Sequence, residues 1–271
     1  MPIKKKLYTV SCIGALALSL SSFAWGDTLD DVVDRGTLRC AVVLDFPPIG
    51  FYDENNEPAG FDVEYCRDLA ASLGVEVQLI PATWSERLPL IVTRRADVVI
   101  GSTSDSLERA QTVGFSIPYA VFVSQAVVNK NSGIETFEDM RGKKVAAGVG
   151  TVQEQWFQQY ADEWGDDFNY QGYQSENEVF LAVQQGRVDA GMTGNIAAGP
   201  ISQRYSNIEL GPVLPFTPDY VSMAAPRKDV SWINYLNLFI QQQVRTGRYE
   251  ELWGKFVGTE APSLTVEGVY Y

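Results

Sequence analysis

The sequence predicts an α/β protein built as two lobes that are joined by two hinge strands. Short apolar runs alternate with amphipathic segments at helical spacing, which is typical of mostly parallel sheets flanked by crossover helices. Two long extended segments, "AVFVSQAVVNKNSG" at 120–133 and "PDYVSMAAPRKD" at 218–229, flank a second set of such elements. The second set is therefore predicted to form an inserted lobe.

The predicted elements follow in chain order. In the first lobe we expect strands at 38–44, 75–80 and 98–100 and helices at 61–73, 84–93 and 107–111. In the second lobe we expect strands at 144–147 and 189–192 and helices at 152–160 and 176–185. The helical spacing of "WINYLNLFIQQQV" predicts a late helix at 232–244. The predicted first lobe is made of residues 27–123 and 224–271, and the second of residues 124–223.

Residues 1–26 have the composition of an export signal. Three lysines at 4–6 precede an apolar run at 13–20, and "SFA" at 22–24 offers small residues before a cleavage site. The apolar run is shorter than the about 20 residues that a membrane-spanning helix needs. A cleaved signal peptide is therefore favoured over an N-terminal membrane anchor.

Charge and composition exclude several classes of function. The chain has 21 Lys and Arg against 34 Asp and Glu, a formal net charge of −13, and loss of the three leader lysines makes it −16. Such a surface repels phosphate backbones and anionic lipid, so nucleic acid is not an expected partner. No segment after the leader is apolar enough to span a membrane. The chain has no histidine, which excludes Ser-His-Asp and Cys-His catalysis. No metal and no cofactor are predicted.

Two cysteines remain after the leader, Cys40 in a strand-like run and Cys66 in a helix-like one. Export into an oxidising compartment permits a disulfide between them. Two unpaired apolar residues in a core fit the sequence as well, because pairing requires Cα atoms within about 7 Å and the sequence does not give that distance. Both alternatives stay open on sequence alone.

The first candidate binding loop is "GSTSDSLERA" at 101–110. Ser102 and Ser104 offer hydroxyls at the carboxyl end of a predicted strand, which is where ligands bind in open α/β sheets. The planar guanidinium of Arg109 can reach back to this loop, and the set suits a carboxylate. The same pattern also fits a plain helix start capped by Ser106.

The second candidate loop is "GVGTVQEQW" at 148–156, in the second lobe. Thr151 is the predicted N-cap, and Glu154 is its predicted capping-box partner. The loop is either a well-capped helix start or an anion-binding one, and it lacks the Lys and the glycine spacing of nucleotide loops. Two helix starts of this kind, one in each lobe, can close on one small anion.

The ordered set of "PAGFDVEYCRDLAASLG", "RADVVIGSTSDSLERAQTVGFSIPY" and the GxGT turn resembles the periplasmic amino-acid-binding proteins that serve ABC importers. The resemblance extends over most of the mature chain, and its pattern is most similar to the glutamate/aspartate-binding type of solute-binding protein family 3. It implies a type 2 periplasmic-binding fold that closes on a free amino acid. It also implies a periplasmic monomer, an inner-membrane ABC permease as partner, and no catalysis.

The resemblance also implies roles for individual residues. By position, the ligand α-carboxylate would be held by Ser102, Ser104, Arg109 and Thr151. Phe46 falls where an aromatic ring packs against the ligand, and core filling is its alternative explanation. Arg87 resembles the arginine that reads a side-chain carboxylate, and a solvent-facing helix position is the alternative.

One position departs from the family pattern. After "RVDAGMT" the family usually has an Asp that pairs with the ligand α-ammonium, and this chain has Gly194, followed by Asn195. An enclosed ammonium without a counter-charge is strongly disfavoured by desolvation. Either Asp45 or another nearby acid replaces the charge, or Asn195 donates to a ligand with a hydroxyl or keto group in place of the amine.

Two other functions share these features. The resemblance extends to a periplasmic cyclohexadienyl dehydratase, which would need the same carboxylate clamp and one protonated acid, for which Glu86 and Asp45 are the candidates. A ligand sensor for a different membrane partner has the same sequence features as a transport protein. Binding without catalysis is favoured, because it requires neither a nucleophile nor a metal.

Overall fold

The computed structural model describes residues 27–265, so the predicted signal peptide and residues 266–271 lie outside it. Two five-stranded sheets, each flanked by helices, form the centres of two lobes. The predicted α/β fold with two lobes is confirmed. Among the described residues, no helix is long and apolar enough to cross a bilayer.

The first lobe is built around one mixed sheet. Its helices are α1 (Thr28–Arg35), α2 (Phe61–Leu73), α3 (Arg87–Val92), α8 (Val230–Arg245) and α9 (Arg248–Phe256). Its sheet strands are β1 (Thr37–Val42), β5 (Glu76–Pro81), β6 (Val98–Ser104), β7 (Gly114–Phe122) and β13 (Asp219–Ala225). A small three-stranded sheet consists of β2 (Asp45–Phe46), β3 (Gly50–Tyr52) and β4 (Pro58–Ala59).

The second lobe repeats this plan. Its strands are β8 (Ser124–Asn129), β9 (Val145–Gly148), β10 (Tyr170–Tyr173), β11 (Ala190–Gly194) and β12 (Ile208–Val213). Its helices are α4 (Val152–Gln158), α5 (Ala161–Trp164), α6 (Glu176–Gln184) and α7 (Asn195–Arg204). Short 3-10 turns lie at Arg109–Gln111 in the first lobe and at Glu138–Met140 and Gly165–Asp167 in the second.

Strand order places the parallel strands of each lobe together. The orders are β5-β1-β6-β13-β7 and β10-β9-β11-β8-β12. β5, β1 and β6 are parallel, as are β10, β9 and β11. The two remaining strands of each sheet, which include the hinge segments, pair antiparallel.

Helix α2 shows how the local sequence specifies these elements. Phe61, Tyr65 and Leu69 recur every four residues and are fully buried, so they form one face against the first-lobe core. Gly74 ends the helix with a φ of +68°, a conformation that favours glycine. The observed bounds coincide with the predicted helix at 61–73.

The chain passes between the lobes twice. β7 ends at Phe122 and β8 begins at Ser124, so the first passage is at Val123. The second passage lies between the ends of β12 at Val213 and β13 at Asp219. The expected boundary at residue 223 falls inside β13, which pairs with β6 and β7. We therefore propose a second boundary near residue 218.

The region around the first candidate loop differs from the prediction. β6 does not end at Ile100 but continues to Ser104, because Thr103 and Ser104 pair with β13. A 3-10 turn follows at Arg109–Gln111 in place of the predicted helix at 107–111. The hydroxyls of this segment are thus held at a strand end and not at a helix start.

The two cysteines form a disulfide within the first lobe. Cys40 of β1 and Cys66 of α2 are bonded, with their Cα atoms 6.0 Å apart and a sequence separation of 26. Both are fully buried. The bond fixes α2 against the sheet, and it decides between the two alternatives that the sequence left open.

Replacing both cysteines with alanine is expected to lower the free energy of unfolding by about 3 kcal/mol, since a loop of this length restricts the unfolded chain. Urea unfolding of the mature protein and the double variant measures the difference. Titration of free thiols in the unfolded, unreduced protein provides the control. Two reactive thiols per mature chain would contradict the bond.

Candidate functional site

A narrow cavity lies between the two lobes. Most of its lining residues follow the carboxyl ends of parallel strands, which is the usual place for ligands in open α/β sheets. The first lobe contributes Phe46, Trp84, Arg87, Ser102, Ser104, Phe122 and Asp219. The second contributes Thr151, Val152, Gln153, Glu176 and Gly194.

Hydrogen bonds join the lobes directly around this cavity. Nη2 of Arg87 and Nη2 of Arg109 both donate to the carbonyl oxygen of Gly150, at 2.8 and 3.0 Å. The backbone N–H of Glu176 donates to Oδ2 of Asp45 at 2.9 Å. The structure is therefore that of closed lobes.

The Gly150 loop depends on glycine for this close approach. Gly150 has a φ of +87°, and a Cβ at this position would lie 2.9 Å from Cα of Ser85 in the first lobe. The loop leads into α4, whose first residues, Val152 and Gln153, line the cavity. A helix leaves its first amide groups without intrahelical acceptors, so these amides add hydrogen-bond donors to the site.

Arg87 is the most enclosed cation of the site, with only 2% of its surface exposed. Nε donates to the carbonyl oxygen of Trp84, and Nη1 donates to those of Gly101 and Ser102. Its guanidinium carbon lies 4.8 Å from the centre of the Trp84 ring. Burial lowers the pKa of Arg87 to about 9, and the charge of Arg109 adds to this shift. The solvent-facing alternative for Arg87 is excluded.

Arg109, a predicted site residue, is half-buried and is not among the residues that line the cavity. Its Nη1 donates to the carbonyl oxygen of Ser104 at 3.1 Å, while Nη2 reaches Gly150. The side chain thus spans the two lobes. Burial lowers the pKa of Arg109.

Ser102, Ser104 and Thr151 line the cavity as predicted, but two of their hydroxyl protons have protein acceptors. Oγ of Ser102 donates to Oδ2 of Asp62 at 3.3 Å. Oγ1 of Thr151 donates to the carbonyl oxygen of Gly148 at 2.7 Å and accepts from an amide of α4. A ligand carboxylate would therefore take its hydrogen bonds mainly from the guanidinium groups and the α4 amides.

Three aromatic rings form one wall of the cavity. Phe46 packs edge-on against Trp84 and Phe122, with ring centres 5.5 and 5.9 Å apart. The same ring faces Gly194, where an added Cβ would lie 3.1 Å from Cζ of Phe46. The predicted aromatic residue is thus in the cavity, and it also limits what can stand at position 194.

Asn195 does not line the cavity. Its side chain is exposed, and its Oδ1 accepts a hydrogen bond from the backbone N–H of Val123 in the first hinge passage at 3.0 Å. Because α7 begins at Asn195, this contact ties the helix start to the hinge. The contacts support a hinge role, in place of the predicted contact with a ligand hydroxyl or keto group.

The two acids nominated from sequence also lie outside the cavity lining. Glu86 is exposed, and hydrogen bonds from the amide and hydroxyl of Thr83 lower its pKa, so it is not the protonated acid that a dehydratase would need. Asp45 lies beside the cavity, where its Oδ2 accepts from Nε1 of Trp84 and from the amide of Glu176.

Sequence reasoning missed the two acids that do line the cavity, Glu176 and Asp219. Each is at least 90% buried. Glu176 follows the parallel strand β10, which the sequence analysis did not predict, so the strand-end rule that selected Ser102 and Thr151 was not applied there. Asp219 begins a hinge-derived strand, for which the sequence carries no comparable signal.

Burial raises the pKa of every acid in or beneath the site. It raises the pKa of Asp219 to about 6 and that of Glu176 well above its usual range, and the charge of Asp45 adds to the second shift. Asp62, under the cavity floor, accepts hydrogen bonds from Tyr119 and Ser102. Burial still raises the pKa of Asp62 to about 7, against the opposing effect of these donors.

Two hinged lobes that close on a buried, charged cavity define a ligand-binding protein of the cleft type. Residues 38–259 match the family of bacterial extracellular solute-binding proteins, family 3, and the chain belongs to this family. The predicted resemblance is thereby confirmed.

Individual relatives agree with this assignment. The L-cystine-binding protein TcyJ of Escherichia coli (strain K12) is 30% identical over 265 residues, which are 95% of this chain and 96% of that protein. A mutant of ArgBP from T. maritima has a TM-score of 0.79 at 28% identity, covering 86% of this chain and all of that one. The ancestral amino acid-binding protein AncCDT-1, a precursor of cyclohexadienyl dehydratase, has a TM-score of 0.76 at 31% identity, covering 85% and 99%.

The buried acids predict that stability falls as the pH rises. A carboxyl whose pKa is raised on folding stabilises the folded state fully below its unfolded pKa near 4, and this contribution is lost as the pH passes its folded pKa. For Asp62 the window is therefore about pH 4 to 7. Over this window, the free energy of unfolding of Asp62→Asn is expected to fall by about 3–4 kcal/mol less than that of the wild type.

Urea unfolding of both proteins at several pH values between 4 and 8 measures the effect. Glu86→Gln is the control, because the pKa of Glu86 is lowered on folding, so its titration makes stability rise and not fall with pH. An equal pH dependence for Asp62→Asn and the wild type would contradict the assignment.

Proposed function

We propose that the protein captures a small carboxylate in the cleft between its lobes and delivers it to an ABC importer of the inner membrane. The observation that carries this proposal is the convergence of Arg87 and Arg109 on the carbonyl oxygen of Gly150. Neither guanidinium forms an ion pair within residues 27–265. An enclosed positive charge without a counter-ion is strongly disfavoured, and a ligand carboxylate would supply the missing negative charge.

Asp219 does not remove this need for an anion. Its charge acts on both arginines, but it lies beyond ion-pair distance of either. Glu108 and Glu154 also act on Arg109, and Asp45 on Arg87, but none of these acids lies within ion-pair distance of the two guanidinium groups. The amides at the start of α4 add donors from the opposite lobe, so an anion here would contact both lobes.

Contact with both lobes is what couples binding to closure. A ligand that interacts with both sides of the cleft stabilises the closed form over the open one, and the importer would recognise the closed form. The two hinge passages allow this movement without breaking either sheet. We propose that the protein acts as a monomer in the periplasm after loss of residues 1–26.

The proposed ligand class is an amino acid or a related organic acid. TcyJ is described as binding L-cystine, and AncCDT-1 as binding amino acids. We propose binding without turnover, as the names of TcyJ and AncCDT-1 describe for those proteins. Glu176 and Asp219 line the cavity with a raised pKa, so recovery of the ligand unchanged is part of the test. The glutamate/aspartate type remains a prediction, in which the remaining Nη2 proton of Arg87 would meet the second carboxylate.

Arg109→Ala is expected to weaken carboxylate binding at least thirtyfold, roughly the loss on truncating one partner of a buried charged pair. The measurement is titration calorimetry on mature protein that has been unfolded and refolded to remove retained ligand. L-cystine, L-arginine and L-glutamate are the test compounds, and the bound compound should be recovered unchanged. Arg245→Ala is the control, since Arg245 is exposed and contacts Gln241. Equal affinity of the Arg109→Ala variant and the control would refute the anion site.

A second prediction concerns closure itself. Gly150→Ala places a Cβ against the backbone of Ser85 across the cleft, so it is expected to weaken ligand binding at least tenfold. Gly133→Ala is the matched control, because Gly133 also has a positive φ, +68°, but nothing lies within 4 Å of an added Cβ.

Both variants should lose about 1 kcal/mol of stability from the unfavourable φ, and only Gly150→Ala should lose affinity. Calorimetry with the tightest ligand of the same panel, together with urea unfolding, separates the two effects. Equal affinities for the two variants would show that closure does not bring the Gly150 loop against Ser85.

A further inference from the structure

Glu176 is a buried acid with no counter-ion in the described part of the chain. Its surface is 3% exposed, and it lines the cavity. Oε2 accepts a hydrogen bond from Oγ1 of Thr193 at 2.8 Å. No ion pair among residues 27–265 includes Glu176. A carboxylate enclosed in this way is strongly disfavoured, so it tends to take up a proton unless a cation joins it.

The nearest charged groups increase this need. The amide of Glu176 donates to Asp45, so a second carboxylate lies beside the same helix start. Both carboxyls have a raised pKa, and burial is the first cause for each. The charge of Arg87 favours the ionised forms of Glu176 and Asp45, but Arg87 does not pair with Glu176, because its guanidinium donates to backbone carbonyls.

Asp219, the other buried acid of the cavity, lies in a different electrostatic environment. The charges of Arg109 and Arg87 both favour its ionised form. One end of the cavity therefore has two arginines and one acid, and the other end has two acids. A ligand with a negative group and a positive group would match both ends.

The position of Glu176 also fits an ammonium group geometrically. Thr193, its hydrogen-bond partner, directly precedes Gly194, which lines the same cavity. Position 194 has no side chain, and one added there would meet the ring of Phe46. The carboxylate of Glu176, on helix α6, contacts Thr193 next to this position.

We propose that Glu176, held by Thr193, accepts the ammonium group of the ligand, so that the site selects α-amino acids over the corresponding 2-hydroxy and 2-oxo acids. This inference rests on the proposed capture of a carboxylate in the cleft. Glu176 is then a specificity-determining residue, and the ligand is a zwitterion that lies between the arginines and the two acids. The ammonium group would then offset the negative charge of Glu176 and Asp45.

The test compares the affinity for an amino acid with that for its hydroxy acid. Wild-type mature protein, stripped of ligand by unfolding and refolding, is titrated with L-glutamate and 2-hydroxyglutarate, and with L-arginine and its 2-hydroxy analogue. The wild type is expected to prefer the amine by at least about thirtyfold in the pair that binds. Glu176→Gln is expected to reduce that preference to less than about threefold, through loss of amino-acid affinity.

Glu178→Gln is the matched control. Glu178 is in the first turn of the same helix, is exposed, and forms a capping box that glutamine also supports. This variant should keep the wild-type preference. Circular dichroism checks that both variants fold.

The outcomes distinguish failure of carboxylate capture from failure of the role of Glu176. Absence of binding of every carboxylate by the wild type would overturn the proposed function. Binding with an unchanged preference in Glu176→Gln would overturn only the role of Glu176. Equal wild-type affinity for the amino acid and the hydroxy acid would overturn the inference even if the variant failed to fold.

Discussion

In the closed lobes, two guanidinium groups of the first lobe donate hydrogen bonds to one carbonyl oxygen of the second, that of Gly150. A carbonyl dipole satisfies two donors but does not neutralise two like charges, and the charge of Arg109 lowers the pKa of Arg87. The closed form without a ligand therefore carries repulsion that an anion would relieve. Ligand binding and closure are in this way one equilibrium, since the same groups determine both.

The charges of the cavity are divided between its ends and not between its lobes. The arginines and Asp219 come from the first lobe, but the amide donors beside them come from α4 in the second. Glu176 comes from the second lobe, and Asp45 beside it from the first. A zwitterion would therefore contact both lobes at each end, whereas a simple carboxylate would link them at one end only. The expected result is tighter closure on the zwitterion.

Local sequence signals predicted many of the elements, and long-range pairing determined features that the sequence could not show. The bounds of α2 follow from its apolar spacing and from Gly74, both of which are local. Ser104 was expected in a loop, but it pairs with Val221, more than a hundred residues away, so β6 is longer than its own apolar run. The disulfide likewise depends on a distance that only the packing of α2 on the sheet provides. Glu176 looked like an ordinary first-turn acid, because nothing nearby in sequence shows that the opposite lobe covers it.

Phe46, Gly194 and Glu176 are best understood as one mutually dependent set. The ring of Phe46 occupies the space that a side chain at position 194 would need, with a contact of 3.1 Å to even a Cβ. An acid therefore cannot be added at 194 unless the ring moves, and the ring is held by edge-on packing against Trp84 and Phe122. The remaining route for a carboxylate into this corner is from α6, where Glu176 lies next to Thr193. The absence of a side chain at 194 is thus consistent with the aromatic wall, and it does not by itself imply a ligand without an amine.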